Sequence, residues 1–246
     1  GVILLGNVPA AATSNVMNYL AGSNVPLSVT MTALTTIVSP LVTPGLTQLL
    51  GGVYVRVDFL AMMISILTIV VIPVALGVVV NKILTSIGKM HASLAAVSNR
   101  VLRSLPRFTM FAMCAALAAL TAAARGQLLY GTMVTAIVLS VIVHTTLGLC
   151  LGYWASRLFR LDEKSCRTIA FVVGMQNSGV AAGLALDVLK KPLASIPGVV
   201  CSIWQNLAGA LLASWWRNRP PNDELPDGKA AMADEGKQGV HNEISA

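Results

Sequence analysis

Charged residues are absent from the beginning of this chain, and that absence constrains its fold more than any other feature. No Asp, Glu, Lys, Arg or His precedes Arg56. Further uncharged runs follow at residues 60–80, 108–124, 127–143, 169–186 and 193–216, each bounded by ionisable residues. Most of these runs approach the roughly 20 apolar residues with which a helix crosses a hydrocarbon core about 30 Å thick. The sequence therefore predicts a polytopic membrane protein.

The composition favours helices over a barrel. Charged residues make up 11% of the 246 residues and hydrophobic residues 55%, whereas soluble domains carry roughly 25% charged residues. Backbone polar groups must be satisfied internally in lipid, and a membrane barrel would show short alternating segments instead of continuous apolar runs. We predict an all-α membrane protein embedded in the lipid bilayer.

Seven crossings are predicted. They lie at residues 1–22 (interrupted), 26–50, 58–81, 105–124, 128–154, 164–189 (interrupted) and 193–216. Residues 82–104 intersperse basic and apolar side chains and predict an amphipathic linker on the membrane surface. Residues 218–246 are too poor in apolar side chains to fold and predict a disordered tail. Because the chain opens at Gly1 directly into an apolar run, we expect it to be a fragment.

The basic residues predict the orientation. Eleven Lys and Arg residues fall on one side of the predicted membrane, against four on the other, namely Arg56, Arg125, Lys190 and Lys191. Cytoplasmic loops carry the excess of Lys and Arg, so we expect a multi-pass inner-membrane protein with its C-terminus in the cytoplasm. The net charge of +7 is then mainly a topology signal, and no nucleic-acid partner is expected.

Two crossings are interrupted by polar residues. In the first, Pro9 removes a backbone donor between Asn7 and Asn15, within a segment rich in side chains that compete for backbone hydrogen bonds. In the second, Gly174 and Gly179 flank a Met-Gln-Asn-Ser stretch. A helix broken inside the membrane frees carbonyls and amides at that depth.

The interruptions occupy corresponding places, since each precedes an apolar half-helix, a turn containing Pro-Leu and a long span. Five crossings run from the one after the first break through the second broken crossing itself, so the two breaks enter from opposite faces and the chain contains an inverted repeat. Interrupted spans in matching halves are typical of secondary transporters, in which half-helix N-termini face an anion and unwound carbonyls hold a cation. We therefore predict a transporter of small organic anions that works by alternating access.

Polar side chains beside the first break predict a cation site. Ser28 and Thr32 are spaced i and i+4 on one helical face, and they could converge with Ser14 and Asn15 as oxygen ligands for a hard cation such as sodium. Hydroxyls in membrane helices also bond back to their own backbone or join neighbouring helices, and spacing alone leaves that alternative open. The amides of Gln176 and Asn177 are costly inside a span unless they are used.

At these motifs the chain resembles the bile acid:sodium symporter family, including bacterial members that handle pantoate-type organic acids. The resemblance rests on the segments at residues 13–20, 27–32, 39–44, 173–179 and 202–206 and extends to about residue 219. It implies a fold of ten spans in two inverted five-span repeats, in which panel spans support a core with two crossed broken helices. The first three spans would then precede this sequence.

The resemblance also divides the chain into regions. Residues 1–50 would be the end of the first repeat, 51–81 a panel-type span, and 105–217 the remainder of the second repeat, with its broken helix at 164–189. Sodium is the implied coupling ion, and no cofactor is expected.

The resemblance assigns the site residues as well. It implies a first sodium site formed by Ser14, Asn15, Ser28 and Thr32. A second sodium site would use the carbonyls of Val173 and Met175 and the side chain of Gln176. Asn177 would face the substrate cavity, and we place Thr13 and Asn7 of the first interruption beside it as substrate-binding candidates.

The chain departs from the family pattern at two places. Val172 stands where the family usually has a glutamate that bridges both sodium sites, which removes the formal negative charge, and we expect weaker sodium binding. Ala10-Ala11-Ala12-Thr13 replaces the family's Gly-Gly-Thr-Ala before Ser14 and Asn15, which is expected to reshape the substrate contact.

Other function classes fit the sequence less well. An intramembrane enzyme needs a constellation such as paired acids, or a nucleophile with a base, and the spans contain none. A passive channel or a transport-inactive scaffold shares the hydropathy but does not explain matched interruptions. A small hydroxy or keto acid such as pantoate or ketopantoate is the first substrate hypothesis, and a bile-acid-like acid the second.

Overall fold

A computed structural model describes residues 1–90 and 131–219, and between them residues 104, 111, 115, 118, 119 and 122. Within these ranges the regular structure is helical, apart from one antiparallel bridge. The helices are α1 (Val2–Asn7), α2 (Thr13–Leu20), α3 (Val25–Gly51), α4 (Phe59–Ile66), α5 (Ile72–Met90), α6 (Gly131–Leu158), α7 (Glu163–Gly174), α8 (Ser178–Asp187) and α9 (Ile196–Arg217). A π-helical turn (Leu67–Val71) joins α4 to α5, and a 3₁₀ turn (Pro192–Ser195) leads into α9.

Four helical stretches are long and apolar enough to cross a membrane. They are Val25–Gly51, Phe59–Ile83, Val134–Leu158 and Pro192–Arg217, and they correspond to the predicted crossings at 26–50, 58–81, 128–154 and 193–216. The two interrupted crossings are the helix pairs α1–α2 and α7–α8. The all-helical membrane prediction is thus confirmed for the described residues. The predicted crossing at 105–124 falls largely outside those residues.

The predicted amphipathic linker begins at residue 82, within helix α5. Helix α5 runs without a break past Lys82 to Met90. Lys82 marks a change in polarity, but no proline lies close to it that would end the helix. The rest of the linker, and residues 220–246 of the predicted tail, lie outside the described residues.

Helix α3 keeps its regular form although it contains Pro40 and Pro44. Pro40 has no N–H to donate to the carbonyl of Thr36, and the Ser39 hydroxyl donates to that carbonyl instead, at 2.8 Å. The Thr43 hydroxyl donates to the carbonyl of Asn7 at 2.7 Å, so α3 holds the C-terminal end of α1. Hydroxyl side chains commonly re-satisfy freed carbonyls in membrane helices.

Buried Arg167 anchors the N-terminal half of α7. Its Nε donates to Glu163 at 2.9 Å, and its Nη1 donates to the carbonyl of Trp216 at 3.2 Å. The guanidinium also lies 5.6 Å from the centre of the Trp216 ring. A cation at the C-terminus of a helix complements its free carbonyls and its dipole, so Arg167 joins α7 to the end of α9.

Helices α6 and α7 touch through glycines. A Cβ on Gly148 would lie 2.9 Å from the Cα of Gly174, and a Cβ on Gly152 would lie 2.9 Å from the carbonyl oxygen of Ile169. The spacing of Gly148 and Gly152 is the small-xxx-small pattern that allows backbones in membranes to approach closely. This contact positions the C-terminal end of α7, where the second interruption begins.

We predict that Gly148→Ala destabilises the protein by about 1–3 kcal/mol, because the new methyl group meets backbone that cannot move aside. The measurement is thermal unfolding in detergent. Gly77→Ala is the matched control, since nothing lies within 4 Å of a Cβ at that position in α5, and alanine is the better helix former. Equal unfolding temperatures for Gly148→Ala and the wild type would contradict the close approach of the two helices.

Candidate functional site

The two interruptions cross each other and pair through their backbones. Between α1 and α2 the chain is extended, as it is between α7 and α8, and Ala10 and Gln176 form an antiparallel bridge. The Ala11 N–H donates to the carbonyl of Met175, and the Asn177 N–H donates to the carbonyl of Pro9, each at 2.8 Å. Each interruption therefore provides hydrogen-bond partners for backbone groups of the other.

Four helix ends meet at this crossover. Helices α2 and α8 begin there, and helices α1 and α7 end there. The N-terminal end of a helix carries partial positive charge from its free N–H groups, and the C-terminal end carries partial negative charge from its free carbonyls. Partial positive and partial negative charges therefore lie close together at the crossover, and they come from the backbone instead of from ionised side chains.

Gln205 of α9 completes the backbone pairing of the crossover. In an antiparallel bridge of this kind the N–H and carbonyl of Gln176 point away from Ala10. The side-chain amide of Gln205 meets both groups: Oε1 accepts from the Gln176 N–H at 3.1 Å, and Nε2 donates to the Gln176 carbonyl at 2.9 Å. Gln205 is 2% exposed. Its side-chain amide makes the two hydrogen bonds that a neighbouring strand would make with Gln176.

Three of the four predicted ligands of the first cation site lie together. The Asn15 Oδ1 accepts hydrogen bonds from the Ser28 hydroxyl at 2.6 Å and from the Thr32 hydroxyl at 3.2 Å. The Thr32 hydroxyl also lies 2.7 Å from the carbonyl of Ser28. Ser14 is buried but donates to the carbonyl of Ala11 at 2.8 Å. The structure thus joins Asn15, Ser28 and Thr32 and directs Ser14 to its own backbone.

Polar groups of the predicted second cation site already have hydrogen-bond partners. The Gln176 Nε2 donates to the carbonyl of Val173 at 3.0 Å, and the carbonyl of Met175 accepts from Ala11. Asn177 caps α8, since its Oδ1 accepts from the Val180 N–H at 3.3 Å. A carbonyl oxygen has two lone pairs, so Val173 and Met175 each keep one for a further partner.

A cavity of about 310 Å³ lies beside the crossover. Asn7 and Gln176 contribute amides to its lining, and one face of α3 contributes the hydroxyls of Thr35, Ser39 and Thr43. Of the predicted substrate-binding residues, Asn7 lines this cavity, whereas Thr13 and Asn177 do not. The Thr13 hydroxyl oxygen is buried and has no hydrogen-bond partner among the described residues.

Val172 lines the same cavity and is 3% exposed. Within the described ranges, no cluster of three or more His, Cys, Asp or Glu residues could hold a metal ion. Asp187 is the last residue of α8, far from the crossover, and its carboxylate accepts from Ser65 at 3.2 Å. The polar groups identified at the crossover are therefore neutral amides, hydroxyls and carbonyls.

Two buried amides at the site, Gln205 and Asn18, have no role predicted from the sequence. Asn18 is fully buried, and its Nδ2 donates to the Ser28 hydroxyl at 2.8 Å. A signal existed for Asn18, because it lies one helical turn after Ser14 and Asn15 and thus on their face of α2. Gln205 lies in the segment 202–206 that carries part of the resemblance, but spacing gives it no role, since its role depends on the shape of a distant segment.

Broken helices within a bundle of membrane-spanning helices are typical of secondary-transporter folds. The chain belongs to the sodium bile acid symporter family, whose family model matches residues 1–131. This match includes the first interruption and α3, with the Asn15, Ser28 and Thr32 cluster.

Curated relatives match most of the chain. The "Uncharacterized sodium-dependent transporter YocS" of Bacillus subtilis is 34% identical over 220 residues, which cover 89% of this chain and 64% of that protein. The "Probable sodium/metabolite cotransporter BASS1, chloroplastic" of rice (Oryza sativa) is 34% identical over 91% of this chain and 52% of its own length. The Arabidopsis thaliana protein of the same name is also 34% identical, over 90% and 52%. The chain thus spans between half and two thirds of these relatives.

We predict that Gln205→Leu destabilises the protein by roughly 1–3 kcal/mol for each of the two Gln176 backbone groups left without a partner. The measurement is thermal unfolding in detergent. Asn206→Leu is the matched control, because the adjacent amide donates to a carbonyl of its own helix, that of Ser202, at 2.7 Å. Equal unfolding temperatures for the two variants would show that Gln205 does not support the crossover.

Proposed function

We propose that this chain forms part or all of a sodium-coupled secondary transporter that carries a small organic anion across the inner membrane by alternating access. The observation that carries the proposal is the crossover, where two broken helices exchange backbone hydrogen bonds. Interrupting two membrane helices is costly, since freed backbone groups in lipid need partners. Such breaks are found where the freed groups line a cavity that binds a solute.

The substrate proposal is a small acid, with pantoate or ketopantoate as the first hypothesis and bile-acid-like acids as the second. The N-terminal ends of α2 and α8 favour an anion, and the Asn7 and Gln176 amides in the cavity wall each carry two N–H donors. A cavity of about 310 Å³ is at the lower end of the roughly 300–1,000 Å³ that ligand pockets occupy. This size supports the small acid over a steroid.

Sodium is the proposed coupling ion. The Asn15, Ser28 and Thr32 oxygens lie within hydrogen-bond distance of one another, and oxygen donors suit a hard cation. The relatives' names describe sodium-dependent transporters, which supports the same ion here. Because Val172 provides no charge, sodium is held by neutral oxygens, and we expect its affinity to be low.

The proposed motion divides the chain into two parts. The core comprises the helices that meet at or contact the crossover, and α4 with α5 belongs to the panel against which it moves. The antiparallel course of the two breaks supports their entry from opposite faces, and hence the inverted repeat. The C-terminus stays in the cytoplasm in this arrangement, as the basic residues predict.

The proposal predicts saturable uptake of radiolabelled pantoate into proteoliposomes that contain the protein, stimulated by an inward sodium gradient and not by an equal potassium gradient. A bile acid is the second probe, and empty liposomes are the control. Uptake that does not saturate would indicate a passive channel. No uptake of either probe, with no effect of sodium on thermal stability, would indicate a transport-inactive scaffold.

We predict that Val172→Glu raises the affinity for sodium at least tenfold, because a carboxylate beside the crossover supplies both charge and oxygen ligands. The readout is the sodium-dependent rise in unfolding temperature, with potassium as the reference ion. Val172→Gln is the matched control, since it adds the same length and polarity without charge. Equal sodium affinities for Val172→Glu and Val172→Gln would count against a cation site at this position.

A further inference from the structure

We propose that Asn18 is a positioning residue that sets the cation affinity of the Asn15–Ser28–Thr32 cluster by controlling the direction of the Ser28 hydroxyl proton. The inference rests on the proposed function, because it concerns the same cation. Asn18 itself is not proposed as a ligand. Its role is to accept a hydrogen bond from the Ser28 hydroxyl. When the cluster binds sodium, that hydroxyl must stop donating to Asn15.

Three observations carry the proposal. Asn18 is fully buried, and its Nδ2 donates to the Ser28 hydroxyl at 2.8 Å. The Ser28 hydroxyl in turn donates to the Asn15 Oδ1 at 2.6 Å. The Asn18 Oδ1 is buried and has no hydrogen-bond partner among the described residues. A buried acceptor without a partner costs free energy comparable to a lost hydrogen bond, so its presence beside a polar cluster requires an explanation.

The hydrogen bonds of the cluster compete with a cation. The Asn15 Oδ1 has two lone pairs, and both face hydroxyl groups, those of Ser28 and Thr32. Thr32 has an alternative acceptor, because its hydroxyl lies closer to the carbonyl of Ser28, at 2.7 Å, than to Asn15, at 3.2 Å. The Ser28 proton is therefore the one that needs a new acceptor before the Asn15 Oδ1 is available to a cation.

Asn18 provides that acceptor through rotation of its side-chain amide. A half-turn about the terminal torsion exchanges Oδ1 and Nδ2, which places an acceptor where the donor to Ser28 now lies. The exchange breaks the bond from Nδ2 to Ser28 and no bond at Oδ1. Ser28 can then donate to Asn18, and the lone pairs of Ser28 and Asn15 are both released to the cation. The number of hydrogen bonds between Asn18 and Ser28 stays the same.

This arrangement fits a site that lacks a formal charge. Val172, in the wall of the cavity beside the crossover, carries no charge. The cation therefore gains only ion–dipole interactions, and the directions of individual protons decide a large share of its affinity. A single hydroxyl proton pointing into the site opposes the cation, and the same proton pointing away leaves an oxygen ligand. Asn18 can favour either direction because an amide presents a donor on one side and an acceptor on the other.

A double-mutant cycle between Asn18 and Ser28 tests the inference in the full-length protein. The variants are Asn18→Leu, Ser28→Ala and the double variant, and the readout is the sodium dissociation constant from thermal shift and calorimetric titration against potassium. We expect Asn18→Leu to weaken sodium binding roughly 5- to 150-fold, since the Ser28 proton is then left without its acceptor. In the Ser28→Ala background the same substitution should have no further effect.

Two further variants provide an alternative to Asn18→Leu and a control. If Asn18→Leu does not fold, Asn18→Asp keeps the size and holds a permanent acceptor beside Ser28, and we expect sodium to bind more tightly. The part of that gain that survives in the Ser28→Ala background measures the added charge alone. Ser23→Ala is the control for removing a buried group without a hydrogen-bond partner, and it should leave the sodium dissociation constant unchanged.

The outcomes separate this inference from the proposed function. A wild-type protein that binds sodium, with additive effects of Asn18→Leu and Ser28→Ala, overturns the role of Asn18 and leaves sodium coupling intact. A wild-type protein with no sodium-specific shift overturns both. Strong coupling between the two substitutions, with sodium binding in the wild type, supports both.

Discussion

The need to satisfy backbone hydrogen bonds within a membrane governs the centre of this structure. Helices α1 and α7 both stop inside apolar crossings, and each stop frees N–H and carbonyl groups that lipid cannot serve. The bonds from Ala11 to Met175 and from Asn177 to Pro9 pair the backbone groups on one edge of the second break. The side chain of Gln205 pairs those on the other edge. Polar chemistry at this depth is therefore possible because the backbone is already paired.

The sequence predicts the local features of this centre well. Pro9 and the glycines at 174 and 179 predict both interruptions, and the i, i+4 spacing of Ser28 and Thr32 predicts a polar face that the structure shows against Asn15. The long uncharged apolar runs also predict the four long crossings. These features depend on residues that are close together along the chain, which is the range over which a pattern in a single sequence carries information.

Features that depend on distant pairing could not be predicted in the same way. The bridge between Ala10 and Gln176 joins segments that are far apart in the sequence. The role of Gln205 exists only because that bridge leaves the N–H and carbonyl of Gln176 pointing away from Ala10. Asn18 was within reach of a spacing argument, but its unpaired oxygen is visible only in the packed structure. Helix α5 continues past Lys82 to Met90, because a change in polarity alone does not end a helix.

The glycine contact between α6 and α7 has a consequence for how the molecule can deform. With backbone resting on backbone at Gly148 and Gly174, no layer of side chains lies between the helices to reorient as one slides past the other. Close-packed surfaces of this kind shift between discrete arrangements or not at all. Helix α6 and the crossover therefore form one rigid unit, and any shift of the crossover relative to α4 and α5 moves α6 with it.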